Sequence, residues 1–530
     1  RGAGVTAMPA RLSDRSCNAA TASVAKAMLS VIDTGAPAPC PAPFNLAAHV
    51  LATGAATPDR IALQILRATG TERWSYARLT DAVLGVAGGL LDRGLRPGDR
   101  LMLRLGNGVS FPLAFLGAIA AGIVPVPTPA GLTVSEVAKV AALVMPAMIV
   151  AGPGIALPDP IPCPVISEAV LRGFEAGPRA SWALGDPDRL GYVVMTSGTS
   201  GAPRAVAHAH RAVWARRMMH AGWEGLGPGD RLLHAGALNW TYTLGTGLLD
   251  PWTVGATAMV LAEGTEIATI PLLLSRHDVS IFAAVPGVYR KILSDHPRLA
   301  LRHLRHGLSA GEKLPPALRA AWRAATGTDL HEAMGMSECS TFLSSSPARP
   351  APEGATGYAQ PGRHLAVLGA DGAPVPRGAP GVLSVRRDDP GLFLGYLNGD
   401  TIEAMGGDWF QSGDIVTMDA DGAFRSLGRS DDMLNAGGFR VSPAEIEAAM
   451  NAHSGVTASA AVELPVRADV TVIALAYTGT ARDDALQAHA EACLAPYKRP
   501  RIYLHRAALP MTANGKINRR AIREEWKETH

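Results

Sequence analysis

From Phe44 onward, apolar runs of strand length alternate with amphipathic stretches of helical period. Ile61–Leu66, Arg100–Leu105 and Ile119–Val126 read as strands or buried segments, and Leu79–Leu91 and Val134–Leu143 read as helices. The alternation continues through Leu190–Met195, Arg231–His234, Ala256–Leu261, Ile281–Ala284 and Leu304–Ser309. It predicts an α/β architecture with largely parallel sheets. After Gly354 the runs shorten and Asp-Gly pairs recur at 371–372 and 421–422, which predicts a small β-rich subdomain. A further boundary is expected at Arg429–Asp432, followed by roughly 100 residues of mixed helix and strand, enough for a small α+β domain. Pro443 followed by Ala444, Glu445, Ile446 and Glu447 is a favourable helix start, because proline suits the first turn and acids suit the N-terminal dipole.

Charge narrows the classes of partner. Lys and Arg total 49 against 46 Asp and Glu in 530 residues, a net charge of +3. That balance gives no electrostatic case for nucleic acid or an anionic membrane. The 48% of hydrophobic and 18% of charged residues are a globular composition. The apolar stretch Leu113–Val124 ends at Pro125 and falls short of the ~20 residues a spanning helix needs. Five cysteines without a C-x-x-C pair point to a reducing, cytoplasmic setting. Residues 1–43, rich in Ala, Ser, Thr and Pro, read as a loose, dispensable extension.

The strongest local signal is the apolar strand Tyr192–Met195 running into Thr196, Ser197, Gly198, Thr199, Ser200, Gly201, Ala202, Pro203 and Arg204. Glycines let the backbone approach an anion, hydroxyls and bare N–H groups donate to phosphate oxygens, and Arg204 adds charge. Composition alone leaves an ordinary hydroxyl-rich turn equally open. The loop is neither a Walker A sequence nor a G-x-G-x-x-G fingerprint.

Thr196–Arg204 resembles the signature loop of the acyl-adenylate-forming enzymes, which include acyl-CoA synthetases, luciferases and adenylation domains of peptide synthetases. Four further motifs follow in that family's order: Met334–Glu338, Trp409–Asp414, Leu427–Asp432 and Asn514–Ile517. The resemblance spans about residues 44–530. Ser309–Pro315, with Asp432–Leu434 and Val441–Pro443, most resembles benzoate-CoA ligases and related carboxylate-CoA ligases. It implies a large N-terminal domain of two α/β sheets plus a β-subdomain (44–430) and a small mobile C-terminal domain (431–530). It also implies a two-step reaction: a carboxylate attacks the α-phosphate of ATP, then a thiol displaces AMP from the acyl-AMP.

By the same resemblance, Thr196–Gly201 and Arg204 would cradle the outer phosphates, although the family usually carries Lys at Arg204 and Gly at Ala205. Glu338 would hold Mg²⁺, and Ser337, where Thr is commoner, would meet the α-phosphate or acyl group. Ser309, Ala310, Gly311 and Glu312, with Glu332, Ala333, Met334 and Gly335, would flank the adenine; Met334 stands where the family often has Tyr. Asp414 and Arg429 would meet the ribose, and Lys516 would be the catalytic lysine of the first step. Asp431 would be the hinge, Gly438 would let a pantetheine pass, and Arg440, with Lys498 and Arg499, would meet coenzyme A phosphates.

Substrate choice is expected in His234–Gly245, with His234, Trp240, Tyr242, Thr243 and Gly245 on one wall and Met336, Ser340 and Thr341 on the other. The region around Ser340 is one residue shorter than in benzoate-CoA ligases. Large rings suit a short or flat acid, and no Lys or Arg in these runs would pair a second carboxylate. The expected activity is therefore a carboxylate-CoA ligase for a small or aromatic monocarboxylic acid, using ATP, Mg²⁺ and coenzyme A; a homodimer is compatible with this. The alternatives are an adenylation enzyme that loads a carrier protein, or a non-catalytic nucleotide-binding protein on the same fold.

Overall fold

The computed structural model describes residues 1–2, 4, 28–35, 37–197, 203–430, 433–436, 439–467, 470–494, 496–512 and 516–529. Among them the strands build a nine-stranded sheet whose centre is parallel: Ile61–Arg67, Thr257–Leu261, Arg231–His234, Ile281–Ala284, His306–Ala310 and Asp329–Met336 lie side by side. These strands are mostly buried and rich in apolar residues, as the strands of a parallel sheet covered on both faces are. Antiparallel strands close the two edges.

A second layer joins two four-stranded sheets. One is parallel and contains Arg100–Arg104 and Val124–Pro127; the other is antiparallel and contains Leu190–Ser197, Pro203–Ala209 and Gly395–Asn398. Val124–Pro127 lies alongside Leu190–Ser197. Val124 and Thr128 donate to the carbonyls of Asp99 and Leu103, so the alternate positions face the other edge. Both of those positions, Pro125 and Pro127, lack an N–H, and the two sheets meet there without a ladder.

The expected helices run over Tyr76–Asp92 and Val134–Val144, the latter opened by a Thr133–Glu136 capping box. The expected run Ile119–Val126 is buried, but it is not a single strand. A helix, Ser110–Ala120, ends there, the chain turns at Gly122 (φ +77°), and a strand follows at Val124–Pro127. That helix is buried on every side, so it carries no amphipathic period for the sequence to display. None of the helices is long and apolar enough to cross a membrane among the described residues.

The β-rich segment beyond Gly354 forms a five-stranded antiparallel sheet of Leu365–Leu368, Gly381–Arg386, Trp409–Met418 and Phe424–Arg429, with Val31–Ile32 at its edge. The extension is thus not loose over its last part: Val31 and Ile32 pair with Ala366 and Leu365, and Trp214 Nε1 donates to the Ala38 carbonyl. The C-terminal residues have apolar clusters of their own, around Leu434, Ile446 and Leu475 and around Val462 and Ile522. The expected helix there is Pro443–Met450.

Candidate active site

The strand Leu190–Ser197 folds back on Pro203–Ala209 with Thr196 opposite Arg204. Gly198, Thr199, Ser200 and Gly201 lie outside the described residues, as does the side chain of Ser197. Pro203–Ala209 also pairs with Gly395–Asn398, which sets Tyr396 opposite Val206. Tyr396 joins two motifs. The Arg204 guanidinium lies 5.2 Å from its ring centroid, and its hydroxyl donates to Glu338 Oε1 at 2.8 Å. Burial and the neighbouring Glu338 charge push that hydroxyl up to about 12, so it stays a donor. The Phe393 N–H holds the Glu338 carbonyl at 2.8 Å. Glu338 Oε2 has no hydrogen-bond partner among the described residues. This free carboxylate oxygen is the kind of hard donor that suits a hard cation such as Mg²⁺.

His208 approaches the same motif from the side. Its Nε2 lies 2.8 Å from the Ser337 carbonyl, and its ring stacks on Tyr192 with centroids 4.8 Å apart. Burial lowers its pKa to about 4, so the ring is neutral. The carbonyl contact requires Nε2 to carry the proton and leaves Nδ1 as an acceptor, buried and without a partner.

The expected adenine segments are neighbours because their strands are parallel partners, with Ser309 beside Glu332 and Ala310 beside Ala333. Glu332, however, spends its carboxylate on Lys313, Arg319 and the Leu314 N–H, and thereby braces this corner. Its pKa is raised by burial against the pull of Lys313. Gly311 sits at φ +93°, where a Cβ would come within 2.8 Å of the Trp240 ring. The acyl segment therefore abuts the Gly311 turn. Met334 and Gly335 pair with the strand Ser340–Ser344, and a Cβ on Gly335 would meet the Ser340 carbonyl at 2.2 Å.

Asp414 and Arg429 face each other across paired strands, with Arg429 Nη1 3.8 Å from Asp414 Oδ1 and 2.7 Å from the Ser412 carbonyl. Lys516 comes to this pair from the far end of the sequence. Surrounding protein lowers its pKa although it keeps solvent contact; Glu312 and Asp414 oppose the shift and Arg429 adds to it. The two facing carboxylates favour the charged ammonium. Burial raises Glu312, and Lys516 opposes that. Lys516 thus interacts with one acid expected at the adenine, Glu312, and one expected at the ribose, Asp414.

The acyl region differs from expectation. Tyr242 is a core residue: its hydroxyl donates to the Leu308 carbonyl at 3.1 Å and its ring packs on His234, Trp223 and Trp240. His234 is buried, with Nδ1 accepting from the Gly236 N–H, and burial lowers its pKa to about 3. Thr243 is buried behind Gly236 and Gly247. Thr341 is buried against Met219 and Gln360, and Met336 packs on the main core. The hollow that does form holds about 10 Å³, room for about one water molecule or one hydroxyl group, and is lined by Tyr192, His208, Arg216, Gly245, Ser337 and Ser340, among others. It is small beside ordinary ligand pockets of roughly 300–1,000 Å³.

Arg216 was not among the expected residues, and it corrects the expectation of a pocket without a cation. It is buried, with Nε on Asp250 Oδ1 at 2.7 Å, Nη2 on Asp250 Oδ2 and Thr246, and Nη1 on Ser340 Oγ. Burial acts to lower its pKa, but Asp250 outweighs that and raises it. Burial acts to raise Asp250, and Arg216 outweighs that and holds it below the usual carboxylate range. Glu224, buried in the same cluster, is raised well above the usual carboxylate range by burial and by Asp250. His220, Glu224 and Asp250 converge within 4.8 Å, but both Asp250 oxygens serve Arg216, so the guanidinium takes the place a metal would need. Two π-helical turns, His220–Glu224 and Gly245–Leu249, carry the cluster. Arg216 lies in a helical stretch rich in Arg and Met, which gives no signal of a pocket residue; only the Gly245 contact does, because a Cβ there would come within 2.2 Å of the Arg216 Cζ.

Asp431 and Gly438 lie outside the described residues, as does the side chain of Arg440. Lys498 is paired with Glu445, and Arg499 donates to the carbonyls of Leu494 and Glu491.

The sequence profile of the AMP-binding enzymes matches residues 51–397, and that of the AMP-binding enzyme C-terminal domain matches residues 445–516. A benzoate–CoA ligase of Thauera aromatica is 32% identical over 81% of this chain and 86% of its own. A mitochondrial acyl-coenzyme A synthetase of Homo sapiens, ACSM2B, is 30% identical over 92% of each chain. An anthranilate CoA ligase, solved in complex with anthranoyl-AMP, superposes with a TM-score of 0.83 at 25% identity, over 92% of this chain and 98% of its own. The motif order, the two-layered α/β fold and the likeness over nearly all of the sequence have one meaning: the chain belongs to the AMP-binding enzyme family.

Proposed function

We propose that the chain is an AMP-forming carboxylate–CoA ligase, which couples a small or aromatic monocarboxylic acid to AMP with release of pyrophosphate and then passes the acyl group to coenzyme A. The observation that carries the residue roles is a convergence. Tyr396 links Arg204 to Glu338, while Lys516 interacts with Glu312 and Asp414, 204 and 102 positions earlier in the chain.

In the first step a carboxylate oxygen attacks the α-phosphorus and pyrophosphate leaves. Both reactants are anions, so catalysis is positioning and charge stabilisation. Thr196 and Arg204 hold the outer phosphates, and the Lys516 ammonium offsets charge that grows between carboxylate and α-phosphate. Asp414 accepts from the ribose hydroxyls, and Arg429, tied to the Ser412 carbonyl, orients that edge. Glu338 would hold Mg²⁺, which when bound supplies countercharge to the phosphates. Tyr396 and the Phe393 N–H fix Glu338 for this task. In the second step the thiol of coenzyme A attacks the acyl carbonyl and AMP leaves. A rotation about Asp431, which divides residues 44–430 from 431–530, would exchange Lys516 for the segment containing Gly438 and Arg440.

ATP–pyrophosphate exchange and AMP release across short, medium and aromatic acids, with thioester formation from free coenzyme A, test this reading. Exchange without any thioester would point instead to a carrier-protein acceptor. No exchange with any acid would overturn the assignment.

A further inference from the structure

The hollow beside the reaction centre contains hydrogen-bonding capacity that the protein itself leaves unused. A guanidinium has five N–H donors. Arg216 commits Nε and Nη2 to Asp250 and Thr246 and one Nη1–H to Ser340, so one Nη1–H has no acceptor among the described residues. Ser340 Oγ accepts from Arg216, and its own proton has no acceptor among the described residues. His208 lines the same hollow and keeps the buried, unpartnered acceptor Nδ1. Donors and an acceptor are thus gathered in a hollow whose other walls are Tyr192, Thr241, Leu244, Gly245, Leu249 and Ser337.

The charge around them is already settled. Asp250 neutralises Arg216 through a two-pronged pair, and Gly245 lets the guanidinium lie flat against the backbone. A second carboxylate on the substrate would place an extra negative charge on a buried group of zero net charge. A neutral group that both accepts and donates meets no such cost. We infer that this enzyme selects a small acid bearing a hydroxyl group, with Arg216 and Ser340 donating to the hydroxyl oxygen and His208 accepting its proton. Arg216 acts as a specificity-determining residue, and Asp250 positions it. The inference rests on the ligase reading above and refines its substrate class.

Matched acids that differ by one hydroxyl test it: benzoate against its three monohydroxy derivatives, and butyrate against 2- and 3-hydroxybutyrate, measured as kcat/KM for AMP release. Leaving a buried donor unmatched costs roughly 5- to 150-fold. The wild-type enzyme should therefore favour at least one hydroxylated acid over its parent by about 10-fold or more. Ser340→Ala should narrow that ratio, and Arg216→Met with Asp250→Leu, which removes both charges together, should reduce it to about 3-fold or less. If the paired variant does not fold, Ser340→Ala decides. A wild-type enzyme that turns over parent acids as well as hydroxylated ones overturns the inference and leaves the ligase reading intact. So does a preference that survives in Ser340→Ala and in the paired variant. Failure to activate any acid would instead refute the ligase reading.

Discussion

Tyr396→Phe isolates one bond at the centre of the proposed site. The phenylalanine ring keeps the packing on Phe393, whose centroid is 5.0 Å away at 68°, and keeps the face over which Arg204 lies at 5.2 Å. Only the hydroxyl is lost, and with it the 2.8 Å bond to Glu338 Oε1. A hydrogen bond to a charged group contributes about 1.5–3 kcal/mol. If Glu338 must be held in one rotamer while charge builds on the phosphates, that becomes roughly a 10- to 150-fold fall in rate. The assay is ATP–pyrophosphate exchange at saturating acid, titrated with Mg²⁺. The variant should exchange more slowly by that factor and need more Mg²⁺ for half its maximum rate, while its thermal midpoint stays close to wild type. Exchange within about two-fold of wild type at every Mg²⁺ concentration would refute the idea that Tyr396 fixes Glu338, since the loss would then fall below ~0.5 kcal/mol.

Three further outcomes follow from the same geometry. Lys516→Ala should lower pyrophosphate exchange by at least about 100-fold while sparing thioester formation from supplied acyl-AMP, and full exchange by the variant would remove the lysine from the first step. Gly245→Ala places a Cβ within 2.2 Å of the Arg216 Cζ. Because Arg216 is held by Asp250, the strain should cost about 1–3 kcal/mol, read as a lower midpoint in urea unfolding; an unchanged midpoint would show that the guanidinium moves freely. Glu224 has a folded pKa above its unfolded value, so its stabilising contribution is complete below about 4.5 and is lost as pH rises toward the folded value. Glu224→Gln should therefore raise the melting temperature more at pH 8 than at pH 4.5, and an equal effect at both would contradict a raised Glu224 pKa.

Much of the fold was legible because strand and helix periods are local. Ile61–Leu66 and Arg231–His234 are bounded by turns and appear as strands in the structure, and the Thr133–Glu136 box opens the predicted helix. The helix Ser110–Ala120 was hidden for the opposite reason: surrounded by protein on all sides, it has no polar face to set its period. The edge strand Val31–Ile32 was hidden because a ladder of backbone bonds asks little of the side chains.

The site divides along the same line. The order and spacing of the motifs at Thr196, Met334, Trp409, Leu427 and Asn514 determined the family, the nucleotide chemistry and most of the residues that would serve it. Short segments state their own chemistry because small residues, acids and a lysine have few reasons to recur in that order. Which side chains line the hollow beside Ser337 was decided only in three dimensions. Tyr242 and Thr243 turned into the core, and Arg216, backed by Asp250, and His208 arrived from other elements. Burial and partner, not residue type, set whether a ring packs or a charge is spent, and both are properties of the assembled fold.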